Sequence, residues 1–326
     1  MKTFVSAFAG LLVVALFSGS AAAADLVLYT SQPNADAQAT VDGFMAANPG
    51  IKVDWVRDGT PQIIAKLQAE IQAGAPVADV LLIADTVTLE RLKEAGKLLA
   101  YKSPEAVNYD AALYDAGGYY YSTKLITTGI VYNTAASMKP TSWRDLTKPE
   151  AKGLVAMPSP LASGAALIHA QTLAGVGSLG WDFYKNLAAN GAVAAGGNGA
   201  VLKSVASGEK AYGMVVDYMP IREKAKGAPL EFVFPTEGVS AVTEPVGILA
   251  SAKHADAAKK FVDYVLSEKG QEGFVKLGYI PARNGMALPA GFPARDSIKV
   301  LPLNAAEALK NTDQDLKTFS SYYGSN

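Results

Sequence analysis

Residues 26–56 have the sequence LVLYTSQPNADAQATVDGFMAANPGIKVDWV. The apolar run Leu26–Tyr29 predicts a short strand, and the apolar side chains of residues 35–47 recur on one face of a helix. Asn48-Pro49-Gly50 ends this helix, and the alternating residues 51–56 predict a second strand. A strand, a helix and a strand in this order indicate an α/β fold with a mainly parallel sheet.

The same alternation continues along the chain and predicts a second α/β unit after the first. A return strand and three more helices follow, and we expect the last helix to pack on the first unit. The predicted segments are residues 63–73 (helix), 80–83 (strand), 85–95 (helix), 128–132 and 154–157 (strands), 164–174 and 179–189 (helices), 212–216 and 246–249 (strands), and 255–266, 269–277 and 304–322 (helices).

These two units predict two lobes. Lobe 1 is expected to contain residues 25–127 plus 246–326, and lobe 2 residues 128–245. The chain is also longer than the roughly 250–300 residues at which a single core stops growing. A chain that leaves lobe 1, builds lobe 2 and returns crosses between the lobes twice, which suggests ligand capture by lobe closure.

The first 24 residues are expected to be a cleaved signal peptide. Lys2 gives a short positive start, Phe4–Phe17 is mostly apolar, and small residues lead to an Ala-x-Ala pattern before Asp25. The apolar run is shorter than the ~20 residues that a membrane-spanning helix needs. We therefore expect export of the mature chain, without a membrane anchor.

The composition excludes several classes of function. The chain has no Cys, which rules out disulfides, thiolate metal sites and a cysteine nucleophile. Its formal net charge of −1, with charges spread along the sequence, gives no reason to expect a nucleic acid partner. Neither a Gly-x-Ser-x-Gly motif nor a His-Glu zinc motif is present, so we expect neither an enzyme nor a cofactor.

Five segments, in their order and spacing, resemble the ferric-iron-binding-protein-like cluster of periplasmic solute-binding proteins. The resemblance extends from Asp25 to about Pro302 and implies a two-lobed type II periplasmic-binding fold with a ligand cleft between the lobes. It also implies a periplasmic location, docking onto an ABC permease, and a monomer. The segments are Tyr29-Thr30-Ser31-Gln32, Ala78-Asp79-Val80, Thr128-Gly129-Ile130-Val131-Tyr132-Asn133, Ser142-Trp143-Arg144-Asp145-Leu146 and Ala257-Ala258-Lys259-Lys260-Phe261.

An anion site is predicted at Ser163, Gly164 and Ala165. Ser163 is expected to cap a helix whose first turn contains the other two residues, and the free amides of such a turn bind anions. Asn198, in a glycine-rich turn before another helix, is a second candidate. Each segment alone also fits an ordinary capped helix. The resemblance favours anion contact, because family members hold an anion with a Ser-Gly-Ala turn and a downstream Asn.

Carboxylates are the candidates for a second end of the ligand. Asp217 directly follows the strand 212–216, where α/β sheets usually bind ligands, and we expect it to face the cleft. It would accept hydrogen bonds from hydroxyl groups or pair with an ammonium group. Asp85 and Glu244 are further carboxylates, and helix capping is the alternative role for Asp85. Tyr218 is expected to form an apolar wall of the site. The expected hydrogen-bond donors from lobe 1 are Ser31, Gln32 and Thr60.

A complete iron site is not expected. Iron-binding relatives typically use two adjacent tyrosines with a His or carboxylate. Tyr218 matches the first tyrosine, but Met219 takes the place of the second, and neither His169 nor His254 is near the loop 31–34. The expected ligand is therefore a small phosphorylated organic anion, either a sugar phosphate or an aminoalkylphosphonate. Fe(III) with a synergistic anion is the alternative, and inorganic phosphate also stays open.

Overall fold

The computed structural model describes residues 24–324, so nearly all of the predicted signal peptide lies outside the described residues. Its strands are β1 (Leu26–Thr30), β2 (Val53–Arg57), β3 (Val80–Leu82), β4 (Leu98–Leu99), β5 (Tyr121–Ser122), β6 (Lys124–Asn133), β7 (Val155–Met157), β8 (Val193–Ala194), β9 (Tyr212–Val216), β10 (Leu230–Val233), β11 (Ser240–Val242), β12 (Pro245–Leu249) and β13 (Ile280–Pro281). Its α-helices are α1 (Asn34–Ala47), α2 (Thr60–Gln72), α3 (Thr86–Glu94), α4 (Gly164–Ala174), α5 (Gly180–Ala189), α6 (Asn198–Ala206), α7 (Tyr218–Ala225), α8 (Ala255–Leu266), α9 (Glu268–Lys276) and α10 (Ala305–Tyr323). The predicted segments are confirmed to within a few residues.

The strands form two sheets. The first sheet has the order β2-β1-β3-β12-β4, with β5 also paired to β12. Strands β1, β2 and β3 are parallel, and the return strand β12 is antiparallel to β3. The second sheet has the order β10-β6-β9-β7-β8, with β11 and β13 paired to β6. The predicted α/β class is confirmed.

Alternating side chains bury both faces of the first sheet. Along β1, Leu26 and Leu28 pack in one apolar cluster, and Tyr29 packs in another. Along β3, Leu82 packs in the same cluster as Leu28, and Leu81 packs in the same cluster as Tyr29. Successive strand residues point to opposite faces, so this division requires helices on both sides of the sheet.

Two neighbouring segments connect the sheets. The chain enters the second sheet along β6 and returns from β11 to β12 through Thr243 and Glu244. The amide of Thr123 donates to the carbonyl of Thr243 at 3.1 Å, and the Thr123 hydroxyl donates to the carbonyl of Glu244 at 2.7 Å. The two crossings therefore lie side by side at the base of the space between the sheets.

Helix α10 contacts α3 on the first unit, as expected, but it differs from the expectation in also contacting α4 and α5 beside the second sheet. The Gln171 amide nitrogen donates to the carbonyl of Ala308 at 2.8 Å, and the Tyr323 hydroxyl donates to the carbonyl of Tyr184 at 2.8 Å. Its buried Phe319 explains the difference, because an apolar ring at that turn packs against Tyr184.

Within residues 24–324, no helix has the length and apolar character needed to span a bilayer.

Candidate ligand-binding site

A cavity of about 290 Å³ lies between the two sheets. Eight of the eleven candidate residues line it: Ser31, Thr60, Ser163, Gly164, Ala165, Asn198, Tyr218 and Glu244. The other residues of its wall are Pro33, Arg57, Gly59, Ala84, Ile126, Ala162, Gly197, Gly199, Ala200, Val216 and Met219. The wall thus takes residues from elements of both sheets, which is the arrangement expected of a cleft.

The predicted anion segment forms one side of this cavity. The Ser163 hydroxyl caps α4 by accepting from the Ala166 amide at 3.3 Å, and the Asn198 amide nitrogen donates to the same hydroxyl at 3.2 Å. The Asn198 oxygen accepts from the Val216 amide at 3.1 Å. These bonds hold the starts of α4 and α6 next to each other, although they lie more than thirty residues apart in the sequence.

Four helices begin at the cavity wall. Thr60 begins α2, Gly164 begins α4, Asn198 begins α6 and Tyr218 begins α7. The Tyr218 amide donates to the Asp217 carboxylate, so the helix starts that can receive an anion are those of α2, α4 and α6. The first amides of each helix have no intrahelical acceptor, and each helix N-terminus carries a partial positive charge. An anion inside the cavity therefore meets positive helix ends from both sheets.

The start of α2 lies close against the segment preceding α4. A Cβ atom added at Gly59 would lie 2.5 Å from the carbonyl oxygen of Ala162. A Cβ atom added at Gly164 would lie 2.9 Å from both the Ala84 carbonyl oxygen and the Thr60 hydroxyl. Glycine is needed at both positions for this close approach. The Thr60 hydroxyl is buried and has no hydrogen-bond partner among the described residues.

Arg57 is a wall residue that the sequence reasoning missed. It ends β2, is exposed, and its Nε donates to the carbonyl of Gln32 at 2.7 Å. Neither terminal guanidinium nitrogen has a hydrogen-bond or ion-pair partner within residues 24–324. Its position after a parallel strand was the available signal, because ligands collect at the carboxyl ends of such strands.

The expectation that Asp217 faces the cleft is corrected. The side chain is 1% exposed and does not line the cavity. Its carboxylate accepts from the Thr127 amide at 2.8 Å, the Thr127 hydroxyl at 2.7 Å and the Tyr218 amide at 2.6 Å. Burial raises the pKa of this carboxyl to about 7. Asp217 therefore joins β6 to the start of α7, and its oxygens have no room for a ligand.

Asp85 and Gln32 also lie outside the cavity wall. Asp85 caps α3 by accepting from the amide and hydroxyl of Thr88, and burial raises its pKa. This is the capping role that the sequence left as the alternative. The Gln32 side chain is fully buried, and its amide atoms have no hydrogen-bond partner among the described residues. The Gln32 carbonyl holds Arg57, and the buried Gln32 side chain lies next to the Glu244 carboxylate, where it partly offsets the rise in pKa that burial causes.

Glu244 is the carboxylate that does line the cavity. It forms an ion pair with Lys124, and both side chains are almost fully buried. Burial raises the pKa of Glu244 and lowers that of Lys124, which also lies over the rings of Phe274 and Tyr279. The pair joins the two crossing segments, since Lys124 begins β6 and Glu244 precedes β12.

Tyr218 lines the cavity and packs against Arg222 on α7. The guanidinium carbon is 4.4 Å from the centre of the Tyr218 ring, and the Tyr279 ring lies 4.3 Å from that of Tyr218. Arg222 makes a bidentate pair with Asp36, at 3.0 and 2.9 Å. Because Asp36 is in α1, this pair connects an element of the first sheet to one of the second.

The histidines contribute nothing to the cavity wall. His169 bonds the hydroxyl of Ser240 at 2.8 Å, and burial lowers its pKa to about 3. His254 lies 2.9 Å from the Asp79 carboxylate and does not line the cavity. Within residues 24–324, no group of three His, Cys, Asp or Glu side chains is arranged to hold a metal ion.

The two sheets, the paired crossings and the cavity between them define the class of type II periplasmic binding proteins. The chain belongs to the family of bacterial extracellular solute-binding proteins, which matches residues 75–311. It is therefore a periplasmic solute-binding protein of the ABC-importer type, which takes a small solute and docks onto a permease, and not an enzyme.

Two relatives and one solved structure are similar to this chain. An uncharacterised protein of Haemophilus influenzae is 31% identical, over 78% of this chain and 77% of its own length. The Fe(3+)-binding periplasmic protein of Serratia marcescens is 26% identical, over 90% of this chain and 88% of its own. The structure of AfuA from Actinobacillus pleuropneumoniae, with fructose-6-phosphate bound, has a TM-score of 0.84 and 24% identity, covering 91% of this chain and 98% of that one.

Proposed function

We propose that this protein captures a small phosphorylated organic anion, either a sugar phosphate or an aminoalkylphosphonate, by closure of lobe 1 on lobe 2. The observation that carries the proposal is the convergence of three helix N-termini and Arg57 on one cavity. Phosphate oxygens are well matched to free helix amides, to a guanidinium and to a free hydroxyl such as that of Thr60. We also propose that residues 1–24 are removed on export and that the mature protein acts as a monomer.

The other end of the ligand is assigned to Glu244 and Tyr218. Glu244 takes the role that the sequence gave to Asp217, because Glu244 lines the cavity. A carboxylate there accepts hydrogen bonds from sugar hydroxyls or an ammonium group. The Tyr218 ring offers an apolar face for the carbon skeleton.

Binding of Fe(III) is the second candidate, favoured by the Serratia relative and by the presence of Tyr218 in the wall. The cavity offers little else to a ferric ion. Met219 is a soft thioether, and Tyr279 packs behind Tyr218 without lining the cavity. Burial raises the pKa of the Tyr218 phenol, which opposes the phenolate form that iron needs.

A thermal-shift screen of the mature protein, unfolded and refolded to remove carried-over ligand, tests the proposal. The panel contains glucose 6-phosphate, fructose 6-phosphate, 2-aminoethylphosphonate, inorganic phosphate and ferric citrate. A ligand that binds the native state alone raises the melting temperature by mass action. We expect an organophosphate or phosphonate to give the largest shift. A shift with ferric citrate and with none of the phosphorus compounds would replace this proposal by the second candidate.

A further inference from the structure

We propose that Arg57 makes the cavity selective for a dianionic phosphoryl or phosphonyl group over monoanions of the same shape. The proposal rests on the proposed function, and it adds to it a specificity-determining residue and the charge state of the bound ligand. Neither the sequence motifs nor the family resemblance singles out Arg57.

The Arg57 side chain is held on one edge and free on the other. Its Nε donates to the Gln32 carbonyl at 2.7 Å, which fixes the plane of the guanidinium. The two terminal nitrogens have no protein partner among residues 24–324, and the side chain lines the cavity. The two terminal nitrogens of such a guanidinium offer two parallel hydrogen-bond donors. An anion with at least two free oxygens can accept from both.

The buried Thr60 hydroxyl is an independent sign of a missing partner on the same side. It lines the cavity, is 3% exposed and has no hydrogen-bond partner in the described part of the chain. A buried hydroxyl without a partner has lost its hydrogen bonds to water without replacement, so such groups are normally satisfied. Arg57 and Thr60 thus supply donors from the first sheet to an anion whose other oxygens face Gly164, Ala165 and Asn198.

The charge of the wall favours a dianion. Each helix N-terminus is equivalent to roughly half a positive charge, so three of them with Arg57 amount to about two and a half. The wall carboxylate, Glu244, is balanced by its ion pair with Lys124. Asp58 accepts from the Gly59 amide at 2.7 Å, but it is exposed and water screens its charge. A doubly ionised phosphate monoester therefore matches the positive charge of the wall more completely than a monoanion does.

The ligand itself changes charge in the accessible pH range. The second ionisation of a phosphate ester has a pKa of about 6, while a sulfate ester or a sulfonate stays monoanionic. The charged and titratable protein groups around the site are Arg57, its neighbour Asp58, the pair Lys124 and Glu244, Tyr218 with Arg222 behind it, and the buried Asp217. A monoanionic analogue does not change charge in this pH range. Any pH dependence of its dissociation constant therefore comes from these protein groups.

The experiment measures the dissociation constants of two matched pairs by calorimetry at pH 5.0, 6.0 and 7.5. The pairs are glucose 6-phosphate with glucose 6-sulfate, and 2-aminoethylphosphonate with 2-aminoethanesulfonate. For the pair that binds, we expect affinity for the phosphorus compound to rise about tenfold across this range, following its second ionisation. The sulfur analogue is expected to bind more weakly and with little pH dependence.

The Arg57→Gln variant is expected to weaken phosphoryl binding by roughly 10- to 100-fold and to flatten its pH dependence. Arg57→Lys keeps the charge and is expected to retain part of the slope. Arg91→Gln is the matched control, since Arg91 is an exposed arginine of the first sheet's α3 that lines a different cavity. Equal affinity and slope in Arg57→Gln and wild type would overturn the role of Arg57 while leaving the proposed function intact. Absence of binding by both phosphorus compounds to the wild type would overturn both.

Discussion

Replacing Gly164 with alanine adds a methyl group where the two sheets approach each other across the cavity. The new Cβ atom would lie 2.9 Å from the Ala84 carbonyl oxygen, 2.9 Å from the Thr60 hydroxyl and 3.0 Å from the Asp85 Cβ. All three atoms belong to elements of the first sheet, whereas Gly164 begins α4 beside the second. Relief of this overlap requires the halves to move apart by several tenths of an ångström.

Overpacking of this kind costs about 1–3 kcal/mol, and in a two-lobed receptor the cost falls on the closed, ligand-bound form. Ligand affinity is therefore expected to fall by about 5- to 150-fold. The melting temperature of the ligand-free protein should change little, because the open form has room for the methyl group. Calorimetric titration with the organophosphate that binds the wild type measures the first quantity, and thermal unfolding measures the second.

Gly177→Ala is the matched control, because a Cβ atom added at Gly177 meets nothing within 4 Å. Wild-type affinity in Gly164→Ala would show that the close contact between α2 and α4 is not part of the binding-competent form. A large loss of stability without ligand, together with normal affinity for the folded fraction, would contradict the reasoning in the same way.

Three further predictions concern buried titratable side chains. Asp217→Asn should destabilise the fold by about 1–3 kcal/mol, through a lost acceptor at Tyr218, yet change the dissociation constant by less than about threefold. A complete loss of ligand binding by a folded Asp217→Asn protein would show that Asp217 contacts the ligand. Burial raises the pKa of Asp217 to about 7, so the free energy of unfolding should fall as pH rises from about 4 to 7. The asparagine variant should lack this pH dependence in urea unfolding. Lys124→Met leaves Glu244 buried without a partner and should lower the free energy of unfolding by about 3–5 kcal/mol. The double variant Lys124→Met/Glu244→Gln should recover part of this loss, and equal stability of the single and double variants would refute the pairing. His169 has a pKa lowered to about 3 by burial, so its neutral form stabilises the fold above pH 6.5 and this stability is lost as pH falls towards 3. His169→Gln should reduce the acid sensitivity of the melting temperature, and an unchanged slope would argue against this.

The regular elements were predictable because their signals are local. The run Leu26–Tyr29, the helix signals before Asn48-Pro49-Gly50 and the Ser163 cap each depend on a few neighbouring residues. The convergence of Ser163 and Asn198 was also accessible, since both lie at helix starts that follow strands of one sheet. The lobe boundaries stay a prediction, although the crossings at β6 and β12 lie near the predicted positions.

The orientation of individual side chains was not predictable in the same way. Asp217 occupies the strand end that the topology favours, but its backbone already has helical angles, φ −55° and ψ −52°, and its carboxylate accepts from Thr127 on the neighbouring β6. No sequence pattern reports a partner ninety residues away. The same limit applies to Arg57, whose role depends on the Gln32 carbonyl, and to Glu244, whose charge is balanced by Lys124.

The phosphorus and iron content of the mature protein, measured by elemental mass spectrometry, tests most directly whether the protein binds a phosphorylated anion. The refolded protein is first incubated with the phosphorus compounds and ferric citrate together, and free ligand is then removed by rapid gel filtration. We predict close to one phosphorus atom per chain and no bound iron. One iron atom per chain, or the absence of both elements, would contradict the proposed binding of a phosphorylated anion.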